Sequence, residues 1–151
     1  NACVIRLRNP ACTAFLFEKG KVIISGKFKV DSAQETAAKV VRTVSVLSGL
    51  TLRIPTATVQ NVVLECDLGE GIDLEMIEAD YFANCKYEPE LFPGLIFTIE
   101  NSSSKVVFVI FCDGKVTITG SKSVNVLRRA FDALYPILEE HKFTNKNVLD
   151  I

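Results

Sequence analysis

Catalysis needs a nucleophile or general base within reach of a partner, and this sequence is poor in both. Its single histidine, His141, sits in a charged stretch near the C-terminus and reads as a solvated end residue. The five cysteines (Cys3, Cys12, Cys66, Cys85, Cys112) are odd in number and lack any C-x-x-C spacing. That argues against structural zinc and predicts reduced thiols in an intracellular compartment. No nucleophile–base constellation and no phosphate-cradling glycine loop can be named. The expectation is therefore no enzyme, no metal and no cofactor, which leaves non-covalent binding as the function to look for.

Composition sets the frame for such binding. With 151 residues, 48% apolar and 23% charged, the chain is expected to form one compact unit, and the figures exclude disorder, collagen and a disulfide-rich scaffold. The longest apolar runs, such as Val106 to Cys112, are too short to cross a bilayer, and no signal peptide opens the chain, so no membrane partner is expected. Asn1 is not an initiator methionine, and upstream residues are expected. Charge is unevenly spread: residues 61–90 hold nine acids against Lys86, a local −8, which leaves +7 elsewhere from a total of −1. A near-neutral sum is thus compatible with one surface that attracts a polyanion and another that repels it. An acidic solvated helix face fits the same numbers.

The elements that must carry a binding surface come in two copies. Phe17, Gly20, Lys21 and Gly26 recur as Phe111, Gly114, Lys115 and Gly120, a constant shift of 94. Each copy reads as an apolar strand, a tight glycine turn and a β-branched strand, the pattern of a hairpin. A helix follows each hairpin. In the first, Ser32 and Glu35 suggest a capping box, Ala33, Ala37, Val41 and Val44 share a face, and Gly49 ends the helix. In the second, Leu127, Ala130, Phe131, Leu134 and Leu138 form the stripe, with a kink expected at Pro136. Between the copies lie a strand over 59–68 and a short helix over about 73–82, with Leu74, Ile77 and Tyr81 inward. The pattern predicts one continuous sheet with helices on one face, an α+β architecture.

Strand alternation puts Phe15 and Phe17 on one side of the sheet and Leu16 on the other, with Val109, Phe111 and Ile110 arranged alike in the second copy. Both faces are apolar. Helices can cover only one, and the chain has too few remaining segments for another layer. An exposed apolar underside meant for a ligand is the prediction.

The run Tyr87-Glu88-Pro89-Glu90-Leu91-Phe92-Pro93-Gly94-Leu95-Ile96, the two hairpins, Gln60-Asn61 and Leu134-Tyr135-Pro136-Ile137-Leu138 give this underside a context. Over nearly its whole length the chain resembles the core domain of the TATA-box-binding protein family. The resemblance implies a saddle-shaped, curved antiparallel sheet of two pseudo-symmetric repeats, here 1–55 and 56–151, with helices on the convex face. The opening strand and helix of the first repeat are expected to precede Asn1. It further implies a nuclear transcription initiation factor whose concave sheet binds the minor groove of A·T-rich promoter DNA. That groove offers mainly acceptors, so an apolar sheet with few donors separates A·T from G·C and little more. Phenylalanine wedges that unstack a flexible step complete the scheme, for which this family is itself the type example.

Carried over by position, Phe92 and Phe111 match the wedge pair of the second repeat and Phe17 one wedge of the first, whose partner falls before Asn1. Gln60 and Asn61 match the central pair, and Val63 an apolar neighbour on the bases. Val4, Phe15, Ile23, Ser25, Pro93, Ile96, Val109, Thr117 and Thr119 match other groove-facing positions. Arg6, Arg8, Lys21, Lys115 and Lys122 match phosphate contacts. The loop of Glu88, Glu90 and Leu91 matches the stirrup that receives general transcription factor IIB, with general transcription factor IIA as a second partner. Burial of the exposed apolar underside would also favour a homodimer in the absence of DNA. The chain departs from the family at Gly69, Asp73 and Thr98, where basic residues are usual, and at the inserted Ser102-Ser103-Ser104. Fewer phosphate contacts imply weaker, less salt-sensitive binding.

Overall fold

The computed structural model describes residues 1–143. Where composition alone suggests one compact unit, the chain divides into two, Asn1–Val59 and Gln60–Ile151. Each has its own sheet and core, because each hairpin-and-helix copy buries its own apolar stripe.

In the first unit, β1 (Ala2–Arg8), β2 (Ala11–Phe17) and β3 (Val22–Gly26) form an antiparallel meander in that order. Its inner face meets α1 (Ala33–Ser48), and Cys12, Ala14 and Val40 form the core with Leu7, Leu16, Ile24, Phe28 and Val44 around them. The stripe that α1 buries is Thr36, Ala37, Val40 and Val41, so Ala33 lies nearer its margin than the pattern predicts and Val40 takes the centre. The expected capping box does not form. A 3-10 turn over Val30–Ser32 leads into the helix and leaves Ser32 at φ −92°, ψ 6°, outside the extended region that a capping residue needs. Its hydroxyl instead donates to the Lys29 carbonyl at 2.9 Å. Gly49 ends α1 in the left-handed region, φ +69°, as expected.

The second unit holds β4 (Val62–Asp67), α2 (Leu74–Tyr81), β5 (Cys85–Lys86), β6 (Leu95–Glu100), β7 (Lys105–Ile110), β8 (Lys115–Ser121) and α3 (Val124–Glu140). Its antiparallel sheet runs β4-β8-β7-β6-β5, where β5 is a two-residue edge strand too short to leave a sequence pattern. Leu95, Phe97, Val106, Phe108, Ile110, Val116 and Ile118 line the inner face, and α3 packs over β8 and β4. Leu127, Leu134 and Leu138 of α3 and Ile77 of α2 complete the core. The α+β class with antiparallel strands is as expected. The strands are nevertheless shared between two sheets, with β4 paired to β8 alone at the edge of its own unit's sheet.

His141 is not the solvated residue the sequence suggests. It is 3% exposed, with Nδ1 2.7 Å from the Ile137 carbonyl and Nε2 3.0 Å from Asp80 Oδ2, and its ring lies edge-on to Tyr81. Residues 127, 134, 138 and 141 fall on one helical stripe, so the phase of α3 carries His141 inward despite its charged neighbours. Its backbone carbonyl also accepts from Asp73 N–H at 2.9 Å, which ties the start of α2 to the end of α3.

Candidate nucleic-acid interface

Strand pairing in the first unit places Val4, Phe15 and Ile23 in one row and Arg6, Thr13 and Ser25 in the next. Ala2 and Phe17 continue the same face at one end, and Arg8 and Ala11 at the other. This face is opposite the Cys12–Ala14–Leu16 core. No side chain of the described residues seals it: Val4 is 45%, Ile23 42% and Phe17 37% exposed.

The second unit repeats the arrangement. Ile96, Val109, Thr117 and Glu65 form one row, and Thr98, Val107 and Thr119 the next. Val63 is exposed on β4, next to a register shift between Val62 and Leu64. Asn61 enters that strand with its amide donating to Thr119 Oγ1 at 2.9 Å. The bond leaves a short amide–hydroxyl pair already oriented on this face. Gln60 is exposed beside it.

The two hairpin turns are nearly superimposable in their bonding. Phe17 N–H donates to the Lys21 carbonyl and Gly20 N–H to the Phe17 carbonyl, both at 2.9 Å, while Phe111 and Gly114 repeat these bonds at 2.9 and 3.0 Å. Gly20 and Gly114, at φ +79° and +89°, allow the turn that brings each lysine back beside its phenylalanine. Lys21 and Lys122 are exposed. Lys115 is paired with Asp113, whose side chain and charge raise its pKa, while the bond from Lys115 lowers that of Asp113.

Phe92 and Phe111 pack edge to face with centroids 5.9 Å apart and planes at 66°. Gly94 makes that possible: a Cβ there would lie 2.7 Å from Phe92 Cε1, 2.9 Å from Val109 Cγ1 and 3.2 Å from Phe111 Cε1. Pro93 is exposed between them. On the loop before them, Leu91 and Phe92 N–H both donate to the Glu88 carbonyl at 2.9 Å. That turn holds Leu91 81% exposed beside the exposed Glu88 and Glu90. Sequence reading gave Gly94 no role of its own and did not place Glu65 or Thr13 on the open faces; strand parity from Phe17 and Thr117 was the available signal. Among the described residues, no three His, Cys, Asp or Glu side chains converge to hold a metal ion.

The family described as "Transcription factor TFIID (or TATA-binding protein, TBP)" matches residues 1–47 and 56–141. The chain is 39% identical over 141 residues to TATA box-binding protein-like 2 of Rattus norvegicus, covering 93% of this chain and 40% of that protein. It is 37% identical to TATA-box-binding protein 1 of Arabidopsis thaliana, with 93% and 69% covered, and 36% identical to TATA-box-binding protein of Acanthamoeba castellanii, with 95% and 54% covered. The chain thus spans about half, or less, of two of these relatives. Among solved structures, Methanococcus jannaschii TBP is similar with a TM-score of 0.72 at 31% identity, over 92% of this chain and 78% of that one.

Proposed function

Given that this chain belongs to the TATA-binding protein family, we propose that it is a nuclear transcription initiation factor that binds the minor groove of A·T-rich promoter DNA and bends it. One observation carries this reading: in both units the sheet face away from the helices is apolar, half-exposed, and edged by a phenylalanine beside a turn lysine. Burying such a face gains roughly 25 cal/mol per Å² of apolar area, energy available to unstack and bend a duplex.

In this reading Phe17, Phe92 and Phe111 are the wedges. Asn61 and Thr119, with Gln60 beside them, face the acceptors of the central base pairs, and Ser25 offers a further donor. Val4, Phe15, Ile23, Val63, Pro93, Ile96, Val109 and Thr117 cover the sugars and base edges. Arg6, Arg8, Lys21, Lys115 and Lys122 meet phosphates. Glu88, Glu90 and Leu91 present a turn to general transcription factor IIB, with general transcription factor IIA as a further partner. Without DNA, the open faces favour self-association, which relieves their exposure.

Fluorescence anisotropy with a TATA duplex and a G·C-rich control tests the proposal. Tight binding to the first and weak binding to the second is expected, and equal weak binding to both would remove it. A second reading rests on Glu65, an exposed acid on the open face of the second unit. In that reading the fold is a protein-interaction module without productive DNA binding, and capture of transcription factor IIB with no DNA-induced shift would favour it.

A further inference from the structure

Strand registers make the two open faces comparable position by position. The hairpin between β6 and β7 spans residues 101–104, that between β1 and β2 residues 9–10, so the shift between repeats is 94 on β2 and β7 but 92 on β1 and β6. Arg6 therefore corresponds to Thr98 and Arg8 to Glu100. On the next strand Ala11 corresponds to Lys105, and in the turns Glu18, Lys19 and Lys21 correspond to Cys112, Asp113 and Lys115.

At these positions the first unit carries Arg6, Arg8, Lys19 and Lys21 against Glu18, three net positive charges. The second carries none: Lys105 is held by Glu100 at 3.1 Å, and Lys115 is paired with Asp113. Arg6, Arg8 and Lys21 form no ion pair among the described residues, so their charge is available to a polyanion. The bias extends to whole units, since residues 1–59 hold nine basic and three acidic side chains, +6, which leaves −7 for residues 60–151.

We infer that the first unit grips the DNA backbone and supplies most of the counterion release, while the second unit contributes its aromatic pair and base-edge contacts and, with Lys115 neutralised by Asp113, only the exposed Lys122 toward phosphate. This rests on the DNA-binding reading above. A lysine that keeps its own carboxylate brings no net charge to the duplex, whereas each unpaired basic group displaces about one condensed cation.

The experiment is the salt dependence of binding to the TATA duplex, from 50 to 200 mM salt, for the unaltered protein and two variants. Arg6→Gln with Arg8→Gln should flatten the log–log slope by about 1.8, at about 0.9 for each phosphate no longer neutralised. Asp113→Lys places a cation where the first unit has Lys19 and also releases Lys115, a gain of two unpaired basic groups, and should steepen the slope by about 1.8. If the arginine variant keeps the parent slope, or Asp113→Lys leaves it unchanged, the division of labour is overturned while DNA binding stands. Circular dichroism melts of both variants separate misfolding from a change at the DNA surface, and a folded arginine variant with the parent slope is decisive against the inference. Failure of the unaltered protein to bind the duplex at all would overturn the DNA-binding reading and this inference together.

Discussion

Phe92 and Phe111 meet edge to face, 5.9 Å between centroids, although they are 19 positions apart in the chain with two strands between them. Gly94 leaves the space in which they meet. Gly94→Ala should push the half-exposed Phe92 ring away, since its far edge is the nearest atom and the most free to yield. A stability loss of about 1 kcal/mol and a reduced DNA bend are expected, from thermal melts and end-to-end energy transfer on a labelled duplex. An unchanged bend would show that the ring pair has no part in wedging.

Phe111→Ala and Lys115→Ala should separate deformation from attraction. The first removes an apolar wedge and lowers the bend. The second leaves Asp113 without its cation, so it weakens binding and flattens the salt slope with little effect on bend. Gel mobility of circularly permuted fragments reads the bend, and equal bends for parent and Phe111→Ala would contradict the wedge assignment.

Asn61 and Thr119 orient one another at 2.9 Å across β4 and β8. Thr119→Val removes a hydroxyl and leaves the Asn61 amide free to turn. Discrimination of the TATA duplex from its G·C-rich control should fall by about 1 kcal/mol, roughly fivefold, as expected for one neutral hydrogen bond. Competition titrations measure it, and an unaltered ratio would remove this pair from base readout.

His141 faces two acceptors, the Ile137 carbonyl and the Asp80 carboxylate. Burial alone would lower its pKa, but the bonds to Asp80 and Ile137, with the charges of Asp80 and Glu140, outweigh burial and raise it. A raised value in the folded state means the stabilisation is complete below the unfolded value of about 6.5 and is lost as pH rises through the folded value. Denaturation midpoints should therefore fall as pH is raised from about 6. His141→Phe should abolish that dependence, and a variant with the parent's profile would place the titration elsewhere.

Most of the architecture was legible because it is written twice. The constant shift between Phe17-Gly20-Lys21 and Phe111-Gly114-Lys115 located both hairpins, and alternation along Phe15–Leu16–Phe17 gave the two faces. What escaped depended on long-range register or on local competition. Charge polarity between Arg8 and Glu100 is hidden because two extra loop residues change the shift from 94 to 92, visible only once strands are paired. Ser32 sits in the right place for a cap, but the preceding 3-10 turn gives it the wrong backbone angles. For His141, local charge density pointed outward while helical phase pointed inward, and packing against Tyr81 and Asp80 decided for phase.

The proposed function stands on bending of the duplex at the open face with its paired phenylalanines, and energy transfer between dyes at the two ends of a short TATA duplex reads it most directly. A rise in transfer on adding the protein, absent with the G·C-rich duplex and diminished by Phe111→Ala, is the predicted result. Binding that leaves the end-to-end distance of the TATA duplex unchanged would contradict the account.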